Sequence, residues 1–164
     1  MIERSQLQQL YQYGLSLTRH AHDAHDLLQS ALERWLKHGS TGDNPEAYIR
    51  RIMRNLFIDE CRRRQRIAFE SLDDNDPVIL DENSLEQQHI DRDIVEKLLE
   101  QLNTAEREVL FMWAVLEYSA SDIARELESP RGTILSRLFR VKKKAQQLAG
   151  MLEVAQPLSV GANE

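Results

Sequence analysis

The sequence contains one cysteine, Cys61, and its aromatic residues make up only 6% of 164 residues. One cysteine cannot form an internal disulfide or a cysteine-based zinc site, so an apolar core must hold the fold together. No apolar stretch approaches the roughly 20 residues that cross a bilayer, and the first residues lack the apolar run of a secretory signal. We therefore expect a folded protein that works in the cytoplasm without direct membrane insertion.

The usual patterns of catalysis are missing as well. The sequence has no glycine-rich phosphate loop, no nucleophile beside a base and no paired catalytic carboxylates. We therefore predict a binding protein rather than an enzyme, with no cofactor and no small-molecule substrate.

The charges that are present are segregated along the chain, which the net charge of -6 conceals. Residues 50–66 hold seven arginines against two acids, and residues 131–144 hold six basic residues and no acid. Between these blocks, residues 70–100 hold eleven acids against two basic residues. Two basic surfaces of this kind indicate a polyanionic partner, while the acidic middle either repels nucleic acid or mimics its phosphates.

Hydrophobic periodicity predicts three helices in the first part of the chain. The first ends near His20, the second begins near Asp23, and the third runs from about Pro45 to Arg64. The apolar residues of the third helix fall within one arc, and its basic and polar residues fall within the opposite arc. The basic arc contains Arg50, Arg51, Arg54, Asn55 and Arg62.

The pattern of residues in the last part of the chain predicts a helix-turn-helix. Asn103 and Glu106 have the spacing of a capping box, and we expect Trp113 to lie in the core of the helix that they open. A short helix over residues 119–127 is separated by only Glu128 and Ser129 from a basic helix that Ser129 caps and that runs to Leu148, which is the tight turn of a helix-turn-helix. Phe139 lies off the main apolar stripe of the basic helix, where it either packs on a neighbour or touches a thymine methyl; we favour packing.

These segments predict an all-α fold of two small helical domains joined by an acidic flexible linker, with the helix-turn-helix in the C-terminal domain. The domains are expected at residues 1–66 and 89–152. Apolar periodicity is lost over residues 67–88, which we interpret as the linker. Residues 153–164 are expected to form a frayed tail.

Three segments resemble one family. Residues 44–63, NPEAYIRRIMRNLFIDECRR, closely resemble the promoter-melting region of bacterial RNA polymerase sigma factors of the extracytoplasmic function (ECF) group in the sigma-70 family. Residues 23–29, DAHDLLQ, resemble its polymerase-docking helix, and residues 105–140, from AEREVL to SRLFR, resemble its C-terminal promoter-binding domain. The three matches occur in the correct order, which makes the resemblance specific.

The resemblance implies a specificity subunit that directs core RNA polymerase to promoter DNA, often under the control of an anti-sigma factor. The residues implied for minus-10 DNA are Tyr48, Arg51, Arg54, Asn55, Arg62 and Arg63. Those implied for minus-35 DNA are Arg131, Thr133, Ser136, Arg137, Arg140 and Lys143. Those implied for polymerase are Asp26, Gln29 and Glu33. The sequence departs from the family at the turn of the helix-turn-helix, where Glu128 stands instead of the favoured glycine.

Two other interpretations stay open from the residues alone. A stand-alone helix-turn-helix transcriptional regulator needs only the C-terminal half, usually with a dimer interface. A metal-sensing interaction protein would use the cluster of His20, His22 and His25. We expect these histidines to be polar surface residues, because the sequence offers no supporting partner for a metal ligand.

Overall fold

The computed structural model describes residues 2–39, 42–67 and 90–155, all helical apart from short connections. The helices are α1 (Arg4–Thr18), α2 (Ala21–His38), α3 (Pro45–Ile67), α4 (Ile90–Gln101), α5 (Thr104–Ala114), α6 (Ala120–Glu126) and α7 (Arg131–Ala155). The predicted all-α fold is confirmed. Most of the predicted linker and tail lies outside the described residues. None of the described helices is long and apolar enough to cross a membrane.

The helices α1, α2 and α3 pack on one another around a point of close approach at Gly14. A Cβ atom at Gly14 would lie 3.1 Å from the terminal methyl of Met53 and 3.4 Å from Cβ of Ala24. Ala24 and Met53, the two neighbours, are fully buried. A methyl group at Gly14 would therefore require the end of the Met53 side chain to move by a few tenths of an ångström.

Capping boxes begin the two helices at the centre of the C-terminal half. Asn103 accepts a hydrogen bond from the backbone N–H of Glu106 at 2.9 Å, and the Glu106 side chain accepts one from the N–H of Asn103. Ser119 and Asp122 form the same reciprocal pair at the start of α6. These boxes satisfy backbone donors that a helix leaves free, and the predicted box at Asn103 is confirmed.

Residues 127–130 connect α6 to α7, a turn two residues longer than predicted because α6 ends at Glu126 and α7 begins at Arg131. Glu128 has a positive φ of 51°, and the next N–H, that of Ser129, donates to the carbonyl of Ala124 at 3.0 Å. This is the left-handed helix ending that usually contains glycine. A side chain in this conformation costs about 1 kcal/mol.

The N-terminal and C-terminal helices share one apolar core. Leu10 and Tyr13 of α1 lie in the same buried cluster as Val109 and Met112 of α5. The ring of Tyr13 lies 5.6 Å from that of Phe111, at an angle of 48°. The two halves therefore pack on each other through α1 and α5, and we call this arrangement the closed form.

Two expectations about aromatic residues are wrong. Trp113 is 56% exposed and Phe139 is 67% exposed. The buried side of α5 is already filled by Val109 and Met112, and Trp113 lies near the end of the helix. Phe139 lies off the buried stripe of α7, and no neighbouring helix covers it in the described part of the chain.

Candidate nucleic-acid interfaces

The first candidate interface is the polar face of α3. Asn44 precedes Pro45 and accepts a hydrogen bond from the N–H of Ala47 at 3.1 Å, which fixes the start of the helix. Arg51 and Asn55 are exposed. Tyr48 and Arg54 are partly buried. These four predicted residues lie within two turns of one helix, as an extended phosphate or base contact requires.

In the closed form this face is turned toward α5 and α6. Nε of Arg54 donates to Oε1 of Glu108 at 3.0 Å, and Nη2 of Arg51 donates to Oε1 of Glu128 at 3.1 Å. Both acids belong to the C-terminal half. Two arginines predicted to contact DNA are therefore already bound to carboxylates of the same chain.

Glu108 is the buried centre of these contacts. It accepts a second hydrogen bond, from the Tyr13 hydroxyl at 2.6 Å. Burial raises the pKa of Glu108 above its ordinary value, against the opposing effects of the Tyr13 hydrogen bond and the Arg54 charge. Burial and then the Glu108 carboxylate raise the pKa of Tyr13 well above its usual range, so this hydroxyl keeps its proton.

Arg50 is the important residue of this face that the site prediction missed. Periodicity assigned it to the basic arc, yet it is only 3% exposed. Its Nε and Nη2 atoms donate to Oε1 of Glu126 at 3.0 and 2.6 Å, and Nη2 also donates to the Tyr118 hydroxyl at 2.7 Å. Arg50 therefore links α3 to the helix-turn-helix from a buried position.

Arg62 and Arg63 do not join this group, although both are exposed. They lie two to three turns further along α3. Arg63 donates to Glu60 on its own helix, at 3.0 and 2.8 Å, and Arg64 donates to the same carboxylate. The far end of α3 is thus a separate basic patch on the surface.

The second candidate interface is α7. Arg131, Ser136, Arg140 and Lys143 are exposed, whereas Thr133 and Arg137 are partly buried. Nε of Arg140 lies 3.8 Å from the buried carboxylate of Glu106, and Lys144 donates to the same carboxylate at 2.7 Å. The helix is therefore anchored on its inner side by Lys144 and presents positive charge on its outer side.

The predicted polymerase-docking residues lie on the exposed surface of α2. Asp26, Gln29 and Glu33 are all exposed, at a spacing of three and four residues that places them on one side of the helix. Beside them, α2 and α3 form an open groove that includes the apolar residues Leu27 and Phe57. Apolar residues beside exposed acids are typical of a surface that binds another protein.

The three histidines make separate contacts. His20 lies 3.9 Å from Asp23, His22 lies 3.3 Å from Asp26, and the ring of His25 stacks on Tyr11 at 4.4 Å. Among the residues that the structure describes, no group of three or more histidine, cysteine or acidic side chains is placed to hold a metal ion.

Comparison with known proteins gives concordant matches over both halves. Residues 4–67 match the family model of sigma-70 region 2, and residues 92–144 match that of sigma-70 region 4. The ECF RNA polymerase sigma factor EcfG of Rhodopseudomonas palustris is 30% identical over 83% of this chain and 76% of its own length. The ECF RNA polymerase sigma factor SigL of Mycobacterium tuberculosis is 31% identical over 79% of this chain and 76% of its own.

A solved structure shows the same arrangement of helices. The sigma factor RpoE of Bartonella quintana, crystallised in complex with the anti-sigma factor NepR, superposes with a TM-score of 0.67 at 25% identity. The superposition covers 89% of this chain and 92% of that one.

Proposed function

The chain belongs to the ECF group of RNA polymerase sigma factors, and on that premise we propose which surface meets each part of the promoter. The polar face of α3, with Tyr48, Arg51, Arg54 and Asn55, meets the unpaired bases of the minus-10 element, and Arg62 and Arg63 follow the adjoining backbone. The outer face of α7 reads minus-35 duplex.

The assignment rests on a difference in residue type and in helix position between the surfaces of α3 and α7. On α3, Arg51, Arg54 and Asn55 follow Tyr48 within two turns of the same helix, and such a combination of residue types binds single strands by stacking and hydrogen bonding. On α7, exposed arginines project from the second helix of a helix-turn-helix, which fits a major groove. The predicted contacts of α7 are Arg131, Thr133, Ser136, Arg137, Arg140 and Lys143.

The remaining partners follow from the same premise. Asp26, Gln29 and Glu33 contact core RNA polymerase, which would supply all the catalysis of transcription, so this chain acts without an active site, in the cytoplasm. Since the Bartonella relative was crystallised with an anti-sigma factor, we include an anti-sigma protein among the partners. Because the α3 face is occupied in the closed form, the two halves must separate when promoter DNA binds.

Two double variants test the assignment in promoter assays with core polymerase. Arg54→Ala with Asn55→Ala should preserve the closed promoter complex and impair strand opening, seen as lost permanganate reactivity of thymines with footprinting retained. A premelted bubble should partly rescue this variant. Arg137→Ala with Arg140→Ala should weaken initial promoter binding by about 1–3 kcal/mol if one arginine contacts a base, with no full rescue by a bubble.

The control is Arg4→Ala with Lys37→Ala, which removes two positive charges from exposed positions on α1 and α2. This control should behave like the native protein in both steps. If the two test variants lose closed complexes equally and respond alike to the bubble, the assignment of surfaces is wrong. Tight, sequence-specific DNA binding by the free protein, at a stated salt concentration, would favour the stand-alone regulator instead.

A further inference from the structure

The outer face of α7 carries two exposed apolar side chains among its basic residues. Phe139 is 67% exposed and Leu135 is 43% exposed. The two residues are four positions apart, so they are neighbours on the surface of the helix. Together with Ser136 and Arg140 they line one open depression. Two large apolar side chains that stand side by side in water are stabilised by a partner that covers them.

The charges around this apolar pair favour a polyanion as the partner. Arg131, Arg140 and Lys143 are exposed on the same helix, and residues 131–144 contain no acid. In the helical order of positions, Phe139 lies between Arg131 on one side and Arg140 on the other. The partner must therefore be negatively charged and also offer apolar groups. Duplex DNA has such a group in its major groove, the C5-methyl of thymine.

The first turn of α7 leaves room for a close approach to this partner. Gly132 precedes Phe139 by seven residues, which places the two on the same side of the helix. A Cβ atom at Gly132 would meet no atom within 4 Å, so the described part of the chain gives no packing reason for a glycine here. A residue without a side chain lets the backbone come close to a ligand. In a helix-turn-helix, the first residues of the second helix are the ones that contact base edges.

We propose that Leu135 and Phe139 are specificity-determining residues that contact thymine methyl groups in the minus-35 duplex. The proposal rests on the assignment of α7 to that duplex. Four residues of helix span about 6 Å and stacked base pairs repeat about every 3.4 Å, so the two side chains reach methyl groups about one to two base pairs apart. The sequence that α7 reads should therefore contain thymines at this spacing.

Deoxyuridine tests the contact directly, because it lacks the C5-methyl of thymine and keeps the O4 acceptor. The native holoenzyme, core polymerase with this chain, first selects a minus-35 sequence from copies of a promoter fragment in which that element is randomised. Each selected thymine is then replaced singly by deoxyuridine, and the affinity of the holoenzyme is measured again. Binding should become about fourfold weaker at each contacted thymine, because a methyl group is worth about as much as one buried CH₂ group.

A double variant connects the effect to the two side chains. Leu135→Ala with Phe139→Ala should abolish the difference in affinity between thymine and deoxyuridine DNA. Both side chains are exposed, so the variant should keep the native thermal stability. The matched control is Val95→Ala with Met151→Ala, which removes two apolar side chains that are 54% and 68% exposed elsewhere on the C-terminal half. The control should keep the native ratio of the two affinities.

Three results would overturn the proposal. The selected minus-35 element contains no thymine, native binding is the same with deoxyuridine at every position, or the double variant keeps the native ratio of affinities. If deoxyuridine has no effect and the double variant binds both kinds of DNA more weakly, the apolar pair contacts a protein surface of polymerase or of a second copy of this chain.

The arginines of α7 distinguish failure of this inference from failure of the proposed function. If Arg137→Ala with Arg140→Ala weakens promoter binding while deoxyuridine has no effect, only the methyl contact is wrong. If that variant binds normally and scrambling the minus-35 element leaves the native affinity unchanged, α7 does not read this duplex and the methyl contact fails with it.

Discussion

The ion pair between Arg50 and Glu126 should control whether the two halves stay together. Both side chains are nearly inaccessible, at 4% and 14%, and two Arg50 nitrogens converge on one Glu126 oxygen. Replacing Glu126 by glutamine leaves the Arg50 charge without its counter-charge. Breaking a buried pair from one side typically costs about 3–5 kcal/mol.

That cost falls on the closed form alone. Arg50 belongs to α3 and Glu126 to α6, so separation of the halves lets water solvate the unpaired guanidinium. Glu126→Gln should therefore shift the equilibrium from closed to open by about two to four orders of magnitude. Each half keeps the helices that its own contacts hold.

Small-angle X-ray scattering measures whether the two halves separate, and amide hydrogen exchange measures whether their shared core becomes accessible to water. The radius of gyration should increase, and amides of α1 and α5 at the shared core should exchange faster. Helix content by circular dichroism should stay unchanged. Glu117→Gln, which removes an exposed acid near α6, is the control and should stay compact.

Two results would refute this reasoning. A compact variant with an unchanged unfolding free energy would show that the pair contributes nothing net, as when desolvation cancels the attraction. A compact variant whose unfolding free energy falls by the full amount would show that the two halves unfold as one cooperative unit. In that case the pair stabilises the fold and does not control opening.

Three smaller perturbations follow. Glu128→Gly should raise the unfolding free energy by up to about 1 kcal/mol in thermal melts, because it relieves the positive φ, whereas Glu128→Gln should not. Asn103→Ala should lower the unfolding free energy by about 1 kcal/mol through loss of the α5 cap, measured by urea titration. The pKa of Glu108 is raised in the closed form, so closure should be favoured as pH falls and weakened as pH rises through that pKa. The radius of gyration should therefore increase as pH rises through this raised pKa, and Glu108→Gln should remove the dependence.

The helices were predictable because their signals are local. The third predicted helix, from about Pro45 to Arg64, corresponds to α3, which continues to Ile67. The capping box at Asn103 needs only two residues three positions apart, so its geometry follows from the sequence. The left-handed conformation of Glu128 was not predicted, since its residue type argues against a positive φ and the family's preference for glycine at the turn was the only sign of one.

The partners of the basic residues were not predictable from periodicity. An arc of a helix shows which residues point the same way, and Arg50, Arg51 and Arg54 share such an arc. Yet Arg50 is buried against Glu126 while Arg51 stays exposed. The difference depends on how closely α6 approaches each turn of α3, which is set by packing between segments more than 65 residues apart. Exposure of Trp113 has the same cause, because it depends on which neighbours surround a short helix.

The count of charges along the sequence did not identify the acids that bind the arginines of α3. Segregation favoured the acid-rich residues 70–100 as the part of the chain that either repels nucleic acid or mimics its phosphates. Among the described residues, the acids of the C-terminal half that bind arginines of α3 are Glu108, Glu126 and Glu128, which lie outside that block. A count of charges weighs every acid equally, whereas a hydrogen bond to a guanidinium needs an oxygen at about 3 Å in the right direction. Two acids on helices and one in the following turn therefore meet this geometric requirement, which a count of charges does not test.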